Sequence, residues 1–373
     1  MKINKLILVL MVFVLISCDI GLSDKMRKAP YVVGNGEKTE MLILWQLYQT
    51  DDCVLRYGLD TKYSMGNVKT AEIDTSHLHK YLVTDLQPNT KYYYDVKLNN
   101  KNYSGSFKTA PKDDCEKLTF FAYGDTRTYP EIHNDIAKQI VSMFTQDSDL
   151  QTLIMHSGDY VGNSDKEIDW DEDFFNSDYS SILEMLGNIS FYSCKGNHEF
   201  TGELYKRYFP YPYVDENFYW SFDYGPAHFI IIDQYTDYSK NSKQLKWLEN
   251  DLASTDKEWK FLLYHEPAWS AGGGHENNKD AQKYIQPLCE KYDVAMTFSG
   301  HNHYYARAEV DGVVHLTTGG GGAPKYDPDS SYPNVKKVSK SHHFCKIEIN
   351  NNKLKVEVIT PDGKIIDEFI IEK

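Results

Sequence analysis

The first part of the chain is dominated by short runs in which apolar and polar residues alternate. Runs of this kind, rich in β-branched and aromatic side chains and separated by turn residues, are typical of β-strands. They cover residues 41–49, 53–59, 80–86, 91–98 and 103–109. The pattern predicts an all-β sandwich over residues 28–112.

From residue 113 onward the pattern changes to apolar strand-like runs that are separated by stretches with helical periodicity. The strand-like runs cover residues 118–124, 151–158, 190–196, 227–233, 260–266 and 293–300. An alternation of strands and helices is typical of a layered domain in which helices cover the faces of a sheet. The pattern therefore predicts an α/β domain over residues 113–373.

Two amphipathic helices and a strand-rich tail complete this domain. The helices are predicted over residues 131–144, where Pro130 begins the helix, and over residues 242–252, where Ser242 is the N-cap. The tail, residues 344–373, alternates apolar and polar side chains around Asn-rich and Pro-Asp-Gly turns. Such turns favour hairpins, so the tail is expected to close a sheet with antiparallel strands.

A long apolar run stands at the start of the chain, over residues 6–16. It is too short to cross a bilayer core of about 30 Å as a helix and indicates a signal peptide, residues 1–17. The Leu-Ile-Ser-Cys sequence at 15–18 resembles a bacterial lipobox, which implies lipidation of Cys18 and a tether over residues 18–27. The alternative is an ordinary signal peptide and a chance cysteine. We expect a bacterial cell-envelope protein, periplasmic or on the cell surface, that contacts the membrane through its lipid anchor only.

The charge balance argues against some partners. The chain has 40 Lys and Arg residues against 54 Asp and Glu residues, a formal net charge of −14. Proteins that bind nucleic acid derive much of their affinity from neutralising phosphates, so a nucleic-acid partner is not expected. With 41% hydrophobic residues, the chain has enough apolar area to fold compactly.

The six cysteines do not form a CxxC pair or the dense spacing of small disulfide-rich domains. With Cys18 assigned to lipidation, an odd number remains, so these cannot all pair within the chain. Cys194 and Cys345 lie in apolar strand-like stretches and are predicted to be buried thiols. The sequence leaves open whether Cys53 and Cys115 form a disulfide.

Side chains that can bind metal ions stand where five of the predicted strands end. In chain order these motifs are Gly124-Asp125, Gly158-Asp159, Gly196-Asn197-His198-Glu199, His265 and Gly300-His301-Asn302-His303. Ligands of open α/β sheets bind beyond the carboxyl ends of the strands, so these motifs are expected to converge. Carboxylate, amide and imidazole donors together suit borderline divalent ions, and a carboxylate can bridge two ions. The set is too large for one four-coordinate ion.

This ordered series of motifs resembles that of the calcineurin-like metallophosphoesterases. The sandwich in front of it, with Trp45, the run Leu-Gln-Pro-Asn-Thr-Lys-Tyr-Tyr-Tyr at 86–94 and Phe-Lys-Thr at 107–109, resembles fibronectin type III modules and the domain that precedes many purple acid phosphatases. The resemblance implies a four-layer αββα domain that binds two metal ions. The ligands it implies are Asp125 and His303 for the first ion, Asp159 as the bridge, and Asn197, His265 and His301 for the second ion. It also implies that His198 contacts the phosphate oxygens and protonates the leaving group.

Two positions depart from the family's pattern. Where purple acid phosphatases carry a tyrosine that binds ferric iron, this chain has Gly162, so a purple iron centre is not expected. Where other members carry a histidine two residues after the first aspartate, this chain has Arg127. The first metal site is therefore expected to have few protein ligands, and the ions to be Fe, Mn or Zn. Because a guanidinium can bind two oxygens, Arg127 is interpreted as facing the phosphate, with a surface arginine as the alternative.

Three further features lie close to these motifs. His275 follows a glycine-rich stretch, ten residues after His265, where relatives place substrate-contacting histidines, and both a substrate contact and an ordinary loop position remain open. The run Thr-Gly-Gly-Gly-Gly at 318–322 lacks the lysine and the helix of a phosphate-binding loop, so it predicts tight backbone packing near the site. Glu199 is expected to orient an imidazole rather than to bind metal.

The sequence thus predicts a metal-dependent phosphoric ester hydrolase that acts on small phosphorylated substrates. We expect a phosphomonoesterase in which a metal-bridging hydroxide attacks phosphorus and His198 is the general acid. The alternatives are a phosphodiesterase with the same centre and a non-catalytic cell-surface binding protein.

Overall fold

The structure, a computed structural model, describes residues 25–373. The predicted signal peptide, residues 1–17, and the predicted lipidation of Cys18 lie outside the described residues. The first strand begins at Met26, so the predicted tether, residues 18–27, ends earlier than expected. Met26 lies opposite Leu47 in the neighbouring strand, and this pairing extends the sheet into the range that the sequence assigned to a linker.

The N-terminal domain is all-β, as predicted, and its strands form two facing layers. The strands are β1 (Met26–Val33), β2 (Met41–Leu47), β3 (Cys53–Gly58), β4 (Gly66–Thr70), β5 (Leu78–Val83), β6 (Lys91–Leu98) and β7 (Lys101–Lys108). One layer has the order β1-β2-β5 and the other β4-β3-β6-β7. Trp45, Tyr92 and Phe107 are buried between them. The Tyr92 hydroxyl accepts a hydrogen bond from the Gln87 amide at 2.8 Å, so the buried ring keeps its polar end satisfied.

The second domain contains strands and helices in alternation, as predicted. Its strands are β8 (Lys117–Tyr123), β9 (Leu153–His156), β10 (Ser190–Ser193), β11 (Trp220–Tyr224), β12 (Ala227–Ile231), β13 (Trp259–Leu263), β14 (Met296–Ser299), β15 (Tyr305–Val310), β16 (Val313–Thr318), β17 (Val335–Ser339), β18 (Phe344–Asn350), β19 (Lys353–Ile359) and β20 (Ile365–Glu372). The helices are α1 (Pro130–Gln146), α2 (Glu167–Asp169), α3 (Ser180–Leu186), α4 (Glu203–Tyr208), α5 (Lys243–Ser254) and α6 (Gln286–Lys291).

Two sheets pack face to face, with helices on their outer sides. One sheet has the order β11-β12-β13-β14-β16-β15-β17, and the other includes β20-β19-β18-β8-β9-β10. Phe120 packs between them, with its ring centroid 5.2 Å from that of Phe229 and 5.4 Å from that of Phe261. Ile230 and Leu262, which directly follow Phe229 and Phe261 in their strands, belong instead to the apolar cluster of α5 and α6. Alternate residues of these strands thus serve different layers, which gives the expected αββα order.

One sheet runs through both domains, which the sequence pattern did not indicate. β1 pairs in parallel with β10, with Val33 opposite Phe191, so β1, β2 and β5 extend the first sheet to nine strands. The two strands are far apart in sequence, and a local pattern carries no information on such a pairing. The N-terminal domain is consequently built onto the edge of a sheet of the second domain.

Local start signals for the helices are confirmed. Pro130 is the first residue of α1, where its missing amide costs no hydrogen bond. Ser242 caps α5, and its hydroxyl accepts a hydrogen bond from the Leu245 amide at 3.1 Å. Cys53 and Cys115 are free thiols, and Cys194 and Cys345 are buried as predicted. Within residues 25–373, no helix combines the length and the apolar character needed to span a membrane.

Candidate metal centre

The motifs that the sequence placed at strand ends meet at one edge of the two sheets. Asp125 follows β8, Asp159 follows β9 and His301 follows β14, and each has a left-handed backbone with φ of 57°, 57° and 65°. Non-glycine residues rarely adopt this conformation, and it is concentrated at functional sites. The turn directs each side chain out of the sheet and toward the others.

Two glycines let these loops approach each other. A Cβ atom on Gly196 would lie 2.3 Å from Asp159 Oδ1, and one on Gly300 would lie 2.1 Å from Asp125 Oδ2. Both distances are shorter than any real contact, and the carboxylates cannot move without leaving the site. Glycine is therefore required at these positions by the neighbouring carboxylates.

The first group of converging side chains consists of Asp125, Asp159 and His303. Each offers one ligand atom, and these atoms lie within 4.8 Å of one another. His303 Nδ1 donates a hydrogen bond to the Pro324 carbonyl at 2.8 Å, which directs its Nε2 toward Asp125 Oδ1 at 3.5 Å. All three side chains are buried, so a cation between them would offset the cost of burying two carboxylates close together.

The second group consists of Asn197, His265 and His301. Asn197 Oδ1 lies 3.0 Å from His265 Nε2 and 2.9 Å from His301 Nδ1, and the two imidazole nitrogens are 3.2 Å apart. His265 Nδ1 donates to the Ser157 carbonyl at 2.7 Å, so its Nε2 is the atom that faces the group. Such a partner for the outer nitrogen is the usual support of a metal-binding histidine.

Asp159 connects the two groups electrostatically. Its Oδ1 lies 3.4 Å from His265 Nε2. Burial alone would lower the pKa of His265, but the Asp159 carboxylate outweighs it and raises this pKa to about 10. For His301, burial and the neighbouring His265 lower the pKa to about 2. Asp159 thus favours a positive charge at His265, and a bound metal ion would supply that charge in place of a proton.

His198 lies beside the groups rather than within them. Its Nδ1 donates to the Gly162 carbonyl at 2.6 Å, and its Nε2 is 3.9 Å from Asp159 Oδ2. A carbonyl can only accept, so Nδ1 carries a proton and Nε2 is the nitrogen that can exchange one with a substrate. The backbone amide of His198 also donates to Asp159 Oδ1 at 3.0 Å.

Arg127 reaches the site from the loop after β8. Its guanidinium lies 3.7 Å from Asp159 Oδ2 through Nε and 3.4 Å from His303 Nε2 through one terminal nitrogen. Its Nε is buried without a hydrogen-bond partner. Arg127 is therefore not a surface arginine, and a buried donor without an acceptor calls for an anionic ligand.

His275 stacks on His301, with ring centroids 3.9 Å apart, and its amide donates to Asn302 Oδ1 at 2.7 Å. All nine described side chains that the sequence singled out therefore lie at this edge. They are Asp125, Arg127, Asp159, Asn197, His198, His265, His275, His301 and His303. His133, by contrast, is buried against the Tyr123 hydroxyl.

The expected role of Glu199 was wrong. Its buried carboxylate accepts hydrogen bonds from the amides of Asp159 at 2.9 Å, Tyr160 at 3.0 Å and Gly196 at 2.6 Å. It therefore joins two site loops through their backbones and does not orient an imidazole. Backbone amides carry no sequence signal, so the residue pattern could not reveal them.

Three features outside the metal-binding motifs border the site. Tyr326 stacks on His303 at 4.3 Å between centroids, which sequence reasoning missed because no motif surrounds it. Tyr160 lies two residues before Gly162, the position where the chain departs from the family's pattern. Its ring stacks on that of His156, with ring centroids 3.9 Å apart. The glycine run packs as predicted, because a Cβ atom on Gly319 would lie 2.8 Å from Asp125 Oδ2.

Comparison with known proteins agrees with this architecture. The purple acid phosphatase N-terminal domain matches residues 30–109, and the calcineurin-like phosphoesterase family matches residues 123–305. Purple acid phosphatase 18 of Arabidopsis thaliana is 27% identical over 325 residues, which cover 77% of this chain and 68% of that protein. Acid phosphatase type 7 of Danio rerio is 23% identical over 404 residues, covering 91% of this chain and 89% of that protein.

Solved structures share the fold across both domains. A purple acid phosphatase from yellow lupin seeds superposes with a TM-score of 0.76 at 20% identity, covering 92% of this chain and 74% of that one. A structure of PhoD has a TM-score of 0.70 at 16% identity, covering 92% of this chain and 90% of that one. These structures show the shared fold, and the two family matches show that the chain combines a calcineurin-like phosphoesterase domain with an N-terminal domain of the purple acid phosphatase type.

Proposed function

We propose that this protein is a phosphomonoesterase that uses two metal ions held by the candidate metal centre. The observation that carries the proposal is the convergence of two adjacent donor groups that share Asp159. The ligands would be Asp125, Asp159 and His303 in the first group and Asn197, His265 and His301 in the second. The acid phosphatases among the relatives support hydrolysis of small phosphorylated substrates.

The donor atoms fit borderline metal ions. Imidazole nitrogens, carboxylates and one amide oxygen are the ligand types that Fe, Mn and Zn accept. When bound, such a pair of ions supplies a nucleophile near neutral pH and neutralises charge on the phosphoryl oxygens. Gly162 offers no phenolate and the Tyr160 ring is turned into the core, so we expect no purple, charge-transfer colour.

The chain's own residues supply the remaining chemistry. His198, fixed by the Gly162 carbonyl, would donate its Nε2 proton to the leaving-group oxygen. Arg127 would bind two phosphoryl oxygens with its guanidinium, whose Nε has no hydrogen-bond partner of its own. His275 would border the substrate on the side of His301.

We also propose a place of action, on the basis of the first residues of the chain. The run at 6–16 and the cysteine at 18 support a lipid-anchored protein of the bacterial cell envelope, on which the described residues have no bearing. Labelling with a radioactive fatty acid in a bacterial host, compared between the natural chain and Cys18→Ala, tests the anchor. Equal labelling of the two chains would exclude it.

The activity is tested with the soluble chain from residue 19. Elemental analysis is combined with phosphate release from nitrophenyl phosphate before and after chelation and metal return. We expect about two metal equivalents, activity that chelation abolishes and metal restores, and slower cleavage of the bis(nitrophenyl) diester. Faster diester cleavage would make the protein a phosphodiesterase, and no release with any metal would favour the non-catalytic binding protein.

A further inference from the structure

A fully buried lysine of the N-terminal domain reaches into the phosphoesterase domain. Lys28, in β1, is 0% exposed. Its Nζ donates to Gln46 Oε1 at 2.7 Å, to Glu167 Oε1 at 2.6 Å and to Asp171 Oδ1 at 2.6 Å. Gln46 lies in the same sandwich, whereas both carboxylates belong to the other domain. The Lys28 ammonium therefore connects the two domains.

A second cation reinforces this connection. Arg27 donates to Asp171 Oδ2 through two of its nitrogens, at 2.9 and 2.6 Å, and lies 3.5 Å from Glu167 Oε1. Tyr208 also donates its hydroxyl proton to Glu167. The Lys28 ammonium is fully buried and its carboxylate partners are partly buried, so removal of the cation would leave both carboxylates without their closest positive charge. The contacts of Lys28 and Arg27 therefore hold the segment that carries Glu167 and Asp171.

The two carboxylates lie on one helical segment, α2 and the wide turn that continues it to Phe174. Further along this segment, Asp173 Oδ2 accepts a hydrogen bond from the Gly162 amide at 3.2 Å. Trp170, which is fully buried, donates its Nε1 proton to the Ser164 carbonyl at 2.9 Å. The segment anchored by Lys28 thus holds the loop of residues 162–165 at two points.

That loop in turn holds His198. The Gly162 carbonyl accepts from His198 Nδ1 at 2.6 Å, and the Ser164 amide donates to the His198 carbonyl at 3.0 Å. Asp165 Oδ1 accepts from the Thr201 hydroxyl at 2.5 Å. The imidazole orientation and its Nδ1 proton therefore depend on the position of the Gly162 carbonyl.

We propose that the N-terminal domain positions the general acid of the phosphoesterase domain, with Lys28 as the positioning residue that acts through Asp171, Asp173 and the Gly162 carbonyl. The inference rests on the proposed function, in which His198 protonates the leaving group. The sandwich is then more than an attached module, because it supplies a cation on which the geometry of the proton transfer depends.

The test compares metal-replete chains on two phosphomonoesters. Phenyl phosphate has a poor leaving group that needs an acid, whereas dinitrophenyl phosphate has a good one that does not. For Lys28→Met we expect kcat on phenyl phosphate to fall about 10-fold or more, within the range of general-acid effects, with dinitrophenyl phosphate changed by less than about twofold. KM should stay unchanged on both, since no substrate contact is lost.

A matched control separates positioning from loss of stability. Arg56 is another cation of the sandwich, and it donates hydrogen bonds at 2.9 and 2.6 Å to the buried Asp95, which belongs to the same sandwich. Arg56→Met should affect both substrates equally. If Lys28→Met does not fold, Asp173→Ala serves as the second variant. It removes the hydrogen bond between the partly buried Asp173 carboxylate and the Gly162 amide, and it should show the same substrate dependence.

The double variant identifies the route of the effect. If Lys28 acts through His198, Lys28→Met should cause no further loss on phenyl phosphate in the His198→Ala background. Equal losses on both substrates for Lys28→Met and Asp173→Ala would overturn the proposal while leaving the acid assignment intact. An absence of substrate dependence in His198→Ala itself would overturn both the acid assignment and the proposal.

Discussion

Single residues at the metal centre are under constraints that differ in kind. The carboxylates of Asp125 and Asp159 reach their positions through a left-handed backbone, and Gly196 and Gly300 are excluded from carrying any side chain by those same carboxylates. Arg127 is constrained electrostatically, since its buried Nε has no acceptor. The first constraints concern assembly of the site, and the last concerns what it binds.

Replacement of Arg127 tests this distinction. In Arg127→Ala we expect kcat/KM for a phosphomonoester to fall about 10- to 100-fold, because each charge-assisted hydrogen bond contributes about 1.5–3 kcal/mol. The kcat/KM of Arg127→Lys should lie between those of the natural chain and Arg127→Ala, because a lysine ammonium keeps the charge but cannot bind two oxygens in the geometry of a guanidinium. Steady-state kinetics and inhibition by inorganic phosphate measure the effect, with metal content determined in parallel.

The control is Arg207→Ala, because Arg207 is exposed on α4 and should be replaced without consequence. Full activity of Arg127→Ala would remove Arg127 from the substrate site.

At the scale of elements, side-chain pairs join strands to helices away from the metal centre. His228 in β12 lies 2.7 Å through Nδ1 from Asp223 Oδ1 in β11 and 2.9 Å through Nε2 from Asp251 Oδ2 in α5. Burial would lower the pKa of His228, but the hydrogen bonds to Asp223 and Asp251 outweigh it and raise the pKa to about 9. A charged imidazole thus fastens α5 to the edge hairpin.

This clamp predicts a pH-dependent stability. The folded pKa is raised above the unfolded value of about 6.5, so the contribution is fully present below pH 6.5 and is lost as pH rises through about 9. At about 1.4 kcal/mol per pKa unit, it amounts to at most about 3.5 kcal/mol. In urea titrations, His228→Gln should be less stable than the natural chain at pH 6, and the difference should shrink by pH 10.

The comparison of the two chains cancels titration of the metal centre, which both share. A difference in unfolding free energy that is the same at pH 6 and pH 10 would contradict the charged clamp.

The whole molecule behaves as one sheet assembly with two functional parts. β1 pairs with β10, Lys28 binds two carboxylates across the boundary, and the Tyr94 hydroxyl donates to the Gly187 carbonyl at 2.8 Å. Separation of the parts would expose the edge of β10 and leave the partly buried carboxylates of Glu167 and Asp171 without the Lys28 ammonium. The energetics therefore favour cooperative unfolding of both domains.

We expect a single transition, whose midpoint falls for both domains when the metal is removed, because a ligand that binds only the native state stabilises the whole cooperative unit. Pulsed labelling of the buried thiols Cys53, in the sandwich, and Cys289, in the phosphoesterase domain, reports the two domains separately. If chelation lowers the denaturant midpoint for labelling of Cys289 but leaves that for Cys53 unchanged, the two domains unfold independently instead.

Prediction from sequence succeeded where the determining interactions are local. Strand alternation, Pro130 and Ser242 specify elements and their starts, because these depend on neighbouring side chains and on backbone amides within one turn. The convergence of the metal-binding motifs also followed, because carboxyl ends of parallel strands lie at one edge of a sheet. The β1–β10 pairing and the contacts of Glu199 could not be predicted in this way, since both involve backbone groups that are identical in every residue type.

The sequence by itself determined the two kinds of domain, the order of their elements and the donor types that meet at one edge, because periodicity and side-chain chemistry are properties of the chain. Only the tertiary structure decided how those donors divide around Asp159, that Arg127 has an orphaned buried nitrogen, and that Lys28 connects the sandwich to the loop beneath His198. These depend on distances between segments far apart in sequence, which packing of the two sheets establishes and local pattern does not encode.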